Sequence, residues 1–255
     1  MVFTDEKDIE LWLGDCLIEM DKIFDSSINL VFADLPYKMT KCSWDSLISF
    51  PELWKQLIRV GSKNCVYCFT SNQPFTSYLV QSNLELYRYE IVWEKTRNSH
   101  PFFANKRPLP QHETIQIFSK SKIQTYNPQK VLSEKSYTIN KNTAGRTDGE
   151  NGKKKWKGES VKSNERFPHS VVKKSNPSLE VGLHPTQKPI SILDWLIRTY
   201  SNEGDIVLDP CFGSCTSGVA AKQLNRKFIG IEKEQKYYDL AVNRIMNETV
   251  WGSSL

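Results

Sequence analysis

Four consecutive residues, Asp34-Leu35-Pro36-Tyr37, combine groups that could handle a flat ring carrying an amino group. They follow an apolar run, Ile28 to Ala33, that predicts a short buried strand of a parallel sheet. Residues just past the carboxyl end of such a strand lie in the crevice where open α/β sheets bind ligands. Asp34 offers an acceptor, Pro36 stiffens the turn, and Tyr37 offers a ring for stacking. The set suits a heterocycle whose amino hydrogens point to Asp34 and to the Leu35 carbonyl oxygen.

A second stretch, Asp209 to Thr216, predicts a turn that binds a nucleoside. It follows a predicted strand at 205–208 and precedes a helix of small residues. Gly213 lets the backbone pass close to a ligand, and residues 214–216 present amide hydrogens at the helix start. Glu232 lies 23 residues after Asp209, near the spacing at which an acidic residue binds ribose hydroxyls. Since the glycine patterns of nucleoside triphosphate and dinucleotide sites are absent, a ligand with a ribose and a small carboxylate but no pyrophosphate fits better.

The positive charge of the chain is concentrated in one segment. The formal net charge is +5, but residues 120–183 contain 14 Lys and Arg against 6 Asp and Glu, a surplus of 8. The remaining residues therefore carry about −3. Such a distribution is expected where one part of a protein faces a polyanion.

Composition and cysteine spacing exclude several classes of protein. No apolar run reaches membrane-spanning length, and the N-terminus lacks a secretory pattern. Cys65 and Cys68 have ligand-like spacing, but no second pair or nearby His completes a zinc site. We therefore expect no metal, six buried thiols and a reducing, cytoplasmic environment.

Hydrophobic periodicity predicts an α/β chain interrupted by one irregular segment. Order is clear up to residue 119, fades over 120–183, and returns from 184. The irregular segment is either a small inserted domain or partly disordered, because a structureless loop of that length is improbable inside a compact domain. The predicted strands are 9–13, 28–33, 64–70, 89–93, 112–119, 205–208 and 228–231; the predicted helices lie before 24, over 50–60, from 73, from 189, before 224 and before 246.

These stretches, in this order, resemble the beta group of amino-group DNA methyltransferases found in restriction–modification systems and phages. Asp34-Leu35-Pro36-Tyr37 resembles the catalytic Asp-Pro-Pro-Tyr motif, and Asp209 to Thr216 resembles the cofactor loop. The resemblance covers about residues 9–119 and 184–246. Three further matches are Gly14-Asp15-Cys16 (contact with the cofactor adenine), Trp93-Glu94-Lys95 with His112-Glu113 (segments before the recognition region) and His184 to Pro189 (the methionine end of the cofactor).

The resemblance implies a fold and an activity. The fold is a circularly permuted class I methyltransferase, Rossmann-like, with a seven-stranded, mostly parallel sheet. Residues 1–119 form the catalytic half, 120–183 a target-recognition insert and 184–255 the cofactor-binding half. The activity is transfer of a methyl group from S-adenosyl-L-methionine to the N6 amino group of a flipped-out adenine in double-stranded DNA, in a bacterial or phage-infected cell. A homodimer and a cognate restriction endonuclease are the implied protein partners.

The site residues expected from the motifs fall into three groups. The catalytic group is Asp34, Leu35, Pro36 and Tyr37. The cofactor group is Asp15, Cys16, His184, Thr186, Lys188, Asp209, Cys211, Phe212, Gly213, Ser214, Cys215, Thr216 and Glu232. The DNA-binding group is Trp44, Lys153, Lys154, Lys155, Trp156 and Lys157, where the lysines contact phosphates and the embedded tryptophan stacks.

The chain departs from the family pattern at two positions, and more than one activity stays open. Leu35 replaces a proline, although its carbonyl oxygen is kept, and Cys215 replaces a second glycine, where it could crowd the cofactor. The Pro210-Cys211 pair resembles the nucleophile of cytosine-C5 enzymes, but it lies in the cofactor loop, so we reject that chemistry. N4 methylation of cytosine needs the same acceptors as adenine methylation. A catalytically silent DNA-binding relative and, less favoured, an RNA substrate also stay open.

Overall fold

The computed structural model describes residues 2–5, 8–36, 48–96, 104–140, 160–174 and 187–246. The chain divides into two compact units, residues 1–127 with 170–255, and residues 128–169. The strands of the larger unit are β1 (Val2–Thr4), β2 (Ile9–Leu13), β3 (Ile28–Ala33), β4 (Gly61–Ser71), β5 (Tyr87–Lys95), β6 (His112–Ser119), β9 (Val171–Lys174), β10 (Ile206–Asp209) and β11 (Lys227–Glu232). Those of the smaller unit are β7 (Val131–Asn140) and β8 (Ser160–Arg166).

One mostly parallel sheet organises the larger unit. Its strand order is β1-β2-β11-β10-β3-β4-β6-β5-β9. Strand β6 is antiparallel to both β4 and β5, and β1 is antiparallel to β2, while the other pairings are parallel. The predicted α/β class with a mostly parallel sheet is confirmed. The seven predicted strands form its centre, and β1 and β9 extend it by one strand at each edge.

Helices cover both faces of this sheet. They are α1 (Cys16–Glu19), α2 (Phe50–Val60), α3 (Phe75–Ser82), α4 (Ile190–Tyr200), α5 (Thr216–Gln223) and α6 (Gln235–Met246), and a short 3₁₀ turn (Met20–Lys22) follows α1. Side chains of α2 and α3 pack in one apolar cluster, and those of α4, α5 and α6 pack in a second. None of the helices in the described ranges has the length and hydropathy needed to cross a bilayer.

Helix α2 illustrates how the sequence sets these elements. Leu53, Trp54, Leu57 and Val60 recur at helical spacing, and all four are buried. Pro51 stands in the first turn, where its missing N–H has no helical partner to lose. The observed bounds of α2 are the predicted ones, as are those of β2, β3 and β6.

The strand order reverses between β10 and β3, which fixes where a ligand can bind. After β10 the chain passes through α5 to β11 on one side, and after β3 it passes through α2 to β4 on the other. The connections therefore leave a crevice at the carboxyl ends of β10 and β3. Asp209 ends β10, and Asp34 directly follows β3.

The smaller unit is an antiparallel pair, β7 with β8. It occupies part of the predicted insert 120–183, whereas 120–127 and 170–174 belong to the larger unit. Strand β9, inside that predicted insert, pairs in parallel with β5. Sequence patterning missed β9 because two of its four residues are lysines.

Candidate active site

The two predicted halves of the site meet at neighbouring strand ends. Leu208 of β10 lies opposite Val31 of β3 in the parallel register, so the two strands end at nearly the same level. The negative charge of Asp34 is close enough to contribute to the raised pKa of Asp209. The predicted catalytic aspartate and the predicted cofactor loop therefore border one crevice.

The carboxylate of Asp34 is held from two sides. Thr70 Oγ1, near the end of β4, donates a 2.5 Å hydrogen bond to Oδ1, and Lys188 Nζ lies 2.7 Å from Oδ2. The Asp34 side chain keeps 20% exposure and the Lys188 side chain 12%, so this pair is only partly open to water. Each carboxylate oxygen can accept more than one hydrogen, so further donors can still approach Asp34.

Lys188 belongs to a longer chain of alternating charges. Its Nζ also lies 3.5 Å from Oε2 of the buried Glu113 on β6, whose Oε1 pairs with Nζ of Lys95 on β5. Burial disfavours the Lys188 ammonium, but the charges of Asp34 and Glu113 outweigh it, so the Lys188 pKa is raised above its ordinary value. Sequence reasoning placed Lys95 and Glu113 in family-like segments but gave neither a site role. It did not identify Thr70, because the contact of Thr70 with Asp34 depends on β4 lying beside β3.

Asp209 is a buried carboxylate at the foot of the cofactor loop. Its Oδ2 accepts a 2.5 Å hydrogen bond from Ser217 Oγ and its Oδ1 accepts one of 3.1 Å from the Cys211 N–H. Burial raises the Asp209 pKa to about 7; these hydrogen bonds oppose the rise, and the charges of Asp34 and Glu232 add to it. Sequence reasoning did not identify Ser217, which lies in the first turn of α5.

Glu232 joins three loops at the carboxyl ends of β2, β10 and β11. Its Oε2 accepts from the Gly213 N–H and its Oε1 from the Glu234 N–H, both at 2.9 Å. Its backbone oxygen accepts from the Gly14 N–H, also at 2.9 Å. Burial raises the Glu232 pKa, and the N–H donors of Glu234 and Gly213 limit the rise. Next to Gly14, Asp15 caps α1 by accepting from the Leu17 N–H.

The cysteines of the loop are poor nucleophiles. A hydrogen bond with the Cys16 thiol, together with burial, raises the Cys211 pKa well above its ordinary value. A nucleophilic cysteine needs the opposite shift. The rejected cytosine-C5 chemistry thus lacks an activated thiol at Cys211. The contact also brings Cys16 and Cys211, both expected in the cofactor group, side by side.

Cys215 adopts the left-handed conformation (φ 58°, ψ 34°) that glycine favours. Its side chain is fully buried in the apolar cluster under the sheet, and its sulfur would lie 2.5 Å from a Cβ placed on Gly218. The sulfur therefore packs against the start of α5. We infer that Cys215 meets the backbone requirement of a glycine position at a cost of strain.

Other residues of the loop contact β11 and α6. The Phe212 ring is buried against Gly230 of β11. Arg244 of α6 donates to the Ser214 carbonyl oxygen at 2.7 Å and to Thr216 Oγ1 at 3.0 Å. The expected part of Phe212, Ser214 and Thr216 in cofactor binding stays a prediction. Arg244 is an additional scaffold residue that sequence reasoning missed.

Nine expected site residues lie outside the described ranges, so their placement stays a prediction. They are Tyr37, Trp44, Lys153, Lys154, Lys155, Trp156, Lys157, His184 and Thr186.

The nucleoside-type crevice and the mostly parallel sheet, in which β6 runs antiparallel between β4 and β5, define a class I methyltransferase fold. Solved structures support this assignment. The M1.HpyAVI–SAM complex is 22% identical at a TM-score of 0.61, covering 92% of this chain and 98% of that one. The PvuII DNA methyltransferase, described as cytosine-N4-specific, is 17% identical at 0.69, covering 97% and 89%.

The chain belongs to the N6/N4 DNA methylase family, whose model matches residues 28–243. It is similar to the type II methyltransferase M.HinfI of Haemophilus influenzae, with 32% identity over 260 aligned residues, 91% of this chain and 67% of that protein.

Proposed function

We propose that this chain transfers a methyl group from S-adenosyl-L-methionine to the N6 amino group of adenine in double-stranded DNA. The observation that carries the proposal is the position of Asp34, fixed at the end of β3 and within electrostatic reach of Asp209 in the cofactor loop. An amino acceptor and a nucleoside-type loop at one crevice are what such a transfer requires.

The residues present fit this methyl donor. Glu232 stands at the end of β11, where a carboxylate can accept ribose hydroxyls, and its ties to Gly213 and Gly14 preform that side of the crevice. Asp15 and Cys16 border the same side from β2. When bound, S-adenosyl-L-methionine supplies an electrophilic methyl group on a positively charged sulfur.

The chain's own contribution is to orient the amino group of the base. The nitrogen lone pair of adenine is delocalised into the ring, so the amino group is a weak nucleophile. Acceptance of its two hydrogens by Asp34 and by the Leu35 carbonyl oxygen favours a tetrahedral nitrogen whose lone pair is free. Asp34 is also the group to which the departing proton can pass. The Leu35 side chain is buried in the core, so the leucine keeps the family's backbone acceptor while filling a core position.

Access to the amino group inside a duplex requires the base to leave the stack. We propose that the adenine flips out and stacks on Tyr37, at a cost of about a few kcal/mol. Residues 120–183 supply the basic surface for the phosphates, with Trp44 helping to hold the opened duplex.

The second candidate is N4 methylation of cytosine, which uses the same two acceptors. We retain this candidate because the structurally similar PvuII enzyme is described as cytosine-N4-specific. We favour adenine because the resemblance associates aspartate, rather than serine, at position 34 with adenine.

Isotope transfer separates these candidates. The protein is incubated with methyl-labelled S-adenosyl-L-methionine and DNA of mixed sequence, and the DNA is then digested to nucleosides. We expect label in N6-methyldeoxyadenosine for the wild type and none for Asp34→Asn, which keeps the side-chain shape. Label in N4-methyldeoxycytidine would overturn the adenine assignment, and a wild type that binds DNA without transferring label would indicate the silent relative. Sequencing of the methylated DNA would then give the target site.

A further inference from the structure

Lys188 contacts the catalytic carboxylate, whereas the sequence grouped it with the cofactor residues. Its Nζ lies 2.7 Å from Asp34 Oδ2 and 3.5 Å from Glu113 Oε2. Both distances join groups from elements far apart in the chain, since Asp34 follows β3 and Glu113 belongs to β6. A lysine at a solvated helix end would have neither partner.

The backbone around Lys188 fixes where its ammonium can reach. Pro189, directly after it, is buried and extended (φ −65°, ψ 141°) as the N-cap of α4. Helix α4 is anchored by a buried stripe that includes Ile192, Leu193 and Leu196. Since proline fixes its own φ and restricts the preceding residue, Lys188 starts from a rigid point.

Four charges alternate in sign from β5 to the catalytic turn. They run from Lys95 to Glu113 to Lys188 to Asp34, and each neighbouring pair is in contact. Loss of the Lys188 charge would leave two carboxylates, Asp34 and Glu113, facing one another in a largely buried site. Removal of one member of a buried ion pair leaves an uncompensated charge, which is strongly unfavourable.

Asp34 is thereby oriented by a hydrogen bond on each oxygen. Thr70 donates to Oδ1 and Lys188 donates to Oδ2. These two donors fix the plane of the carboxylate. Because a carboxylate oxygen accepts more than one hydrogen bond, the same plane is compatible with acceptance from the amino group of a base.

We propose that Lys188 is a positioning residue for Asp34, and that Glu113 with Lys95 holds Lys188 in place. This inference rests on the proposed methyl transfer and names what keeps its acceptor aligned. It replaces a direct role of Lys188 in binding the cofactor. A misaligned acceptor slows the chemical step without weakening the binding of either substrate.

The test is a kinetic comparison of Lys188→Met, Lys188→Arg and wild type, with cofactor affinity measured separately by calorimetry. For Lys188→Met we expect kcat to fall about 100-fold. We expect the KM for DNA and the Kd for S-adenosyl-L-methionine to stay within about threefold. Lys188→Arg keeps the positive charge, so it should recover part of kcat. Lys227→Met is the matched control. Lys227 forms an exposed ion pair with Asp8 and stands at the amino end of β11, whereas the crevice lies at the carboxyl ends of the strands.

A cofactor Kd weakened tenfold or more in Lys188→Met would overturn the proposal in favour of the cofactor role. So would an unchanged kcat, or a loss of kcat that Lys188→Arg does not lessen at all. If Lys188→Met fails to fold, Glu113→Gln is the second variant, and the proposal then requires a fall in kcat at unchanged cofactor affinity. A wild type that transfers no methyl group overturns the proposed function itself, which distinguishes that failure from failure of the Lys188 assignment alone.

Discussion

Replacement of Asp209 by Asn should make the cofactor-free protein more stable above neutral pH. Asp209 is 2% exposed, and burial is the main reason that its pKa is raised to about 7. The hydrogen bonds from Ser217 and the Cys211 N–H do not offset that cost. Asparagine has the same shape, still accepts from the Cys211 N–H, and carries no charge. A serine hydroxyl can rotate to accept from the new amide.

The sign and size follow from proton linkage. A carboxyl group whose folded pKa is raised favours the fold fully below the unfolded pKa of 3.8, and this contribution is lost as pH rises through about 7. A shift from 3.8 to about 7 corresponds to about 4 kcal/mol, which is a ceiling for the difference at pH 8. Between these two pKa values the stability of the wild type should fall by up to about 1.4 kcal/mol per pH unit from this one group.

Urea unfolding of wild type and Asp209→Asn, followed by tryptophan fluorescence from pH 4.5 to 8.5, measures this difference. The quantity of interest is the free energy of unfolding of the variant minus that of the wild type at each pH. We expect it to rise with pH and to level off above about pH 7. Ser217→Ala provides a comparison, because loss of its hydrogen bond should increase the cost of the Asp209 charge.

A difference that is flat across this range would refute the reasoning, since it would mean that Asp209 ionises as readily in the folded chain as in the unfolded one. A variant that is less stable than wild type at every pH would refute it too.

Three further predictions concern the site and its scaffold. Asp34→Ala should abolish methyl transfer yet leave S-adenosyl-L-methionine affinity nearly intact, as measured by calorimetry, because the proposed partner of Asp34 is the base and not the cofactor. Glu232→Ala should weaken cofactor binding by a few kcal/mol at most, about the worth of charge-assisted hydrogen bonds, in the same assay. Neutralisation of the four lysines within 153–157 should flatten the salt dependence of DNA binding in filter or fluorescence titrations. A fourth concerns packing: Gly218→Ala should cost about 1–3 kcal/mol by overpacking against the Cys215 sulfur and the Phe228 ring, and Cys215→Gly should relieve the part that comes from the sulfur in unfolding measurements.

Each has a clear contrary outcome. Lost cofactor affinity in Asp34→Ala would move that residue into the cofactor group, and full affinity in Glu232→Ala would remove Glu232 from it. An unaltered salt slope would discredit the lysine cluster as a phosphate contact. Additive effects of the Gly218 and Cys215 substitutions would show that the two side chains do not compete for space.

Local patterning predicted most elements because burial imposes a visible period on them. The α2 stripe of Leu53, Leu57 and Val60 and the apolar run of β3 are such cases. Strands β1 and β9 were missed because an edge strand of three or four residues, paired on one side only, need not be apolar. The predicted seven strands were correct for the centre of the sheet and short by two at its edges.

Proximity within the site was harder to predict than the identity of its motifs. Lys188 and Asp34 are separated by 154 positions, and nothing local to either residue signals the other. Thr70 and Arg244 contact elements distant in the chain, so their roles appear only when the arrangement of strands and helices is known. Ser217 lies eight positions after Asp209, so its role is local. The left-handed backbone at Cys215, by contrast, agrees with the glycine that the family pattern has at this position.

Glu232 connects two segments of the crevice wall. One residue tethers the Gly213 loop through its side chain and the Gly14 turn through its main chain, so the wall is assembled before any ligand arrives. Little conformational freedom then remains to be lost on binding, which favours a higher affinity for a nucleoside ligand. A substitution of this side chain would release the Gly213 loop and leave the main-chain bond to Gly14 in place. Glutamine has one acceptor oxygen, so it could keep the bond from either Gly213 or Glu234 but would lose the other together with the charge.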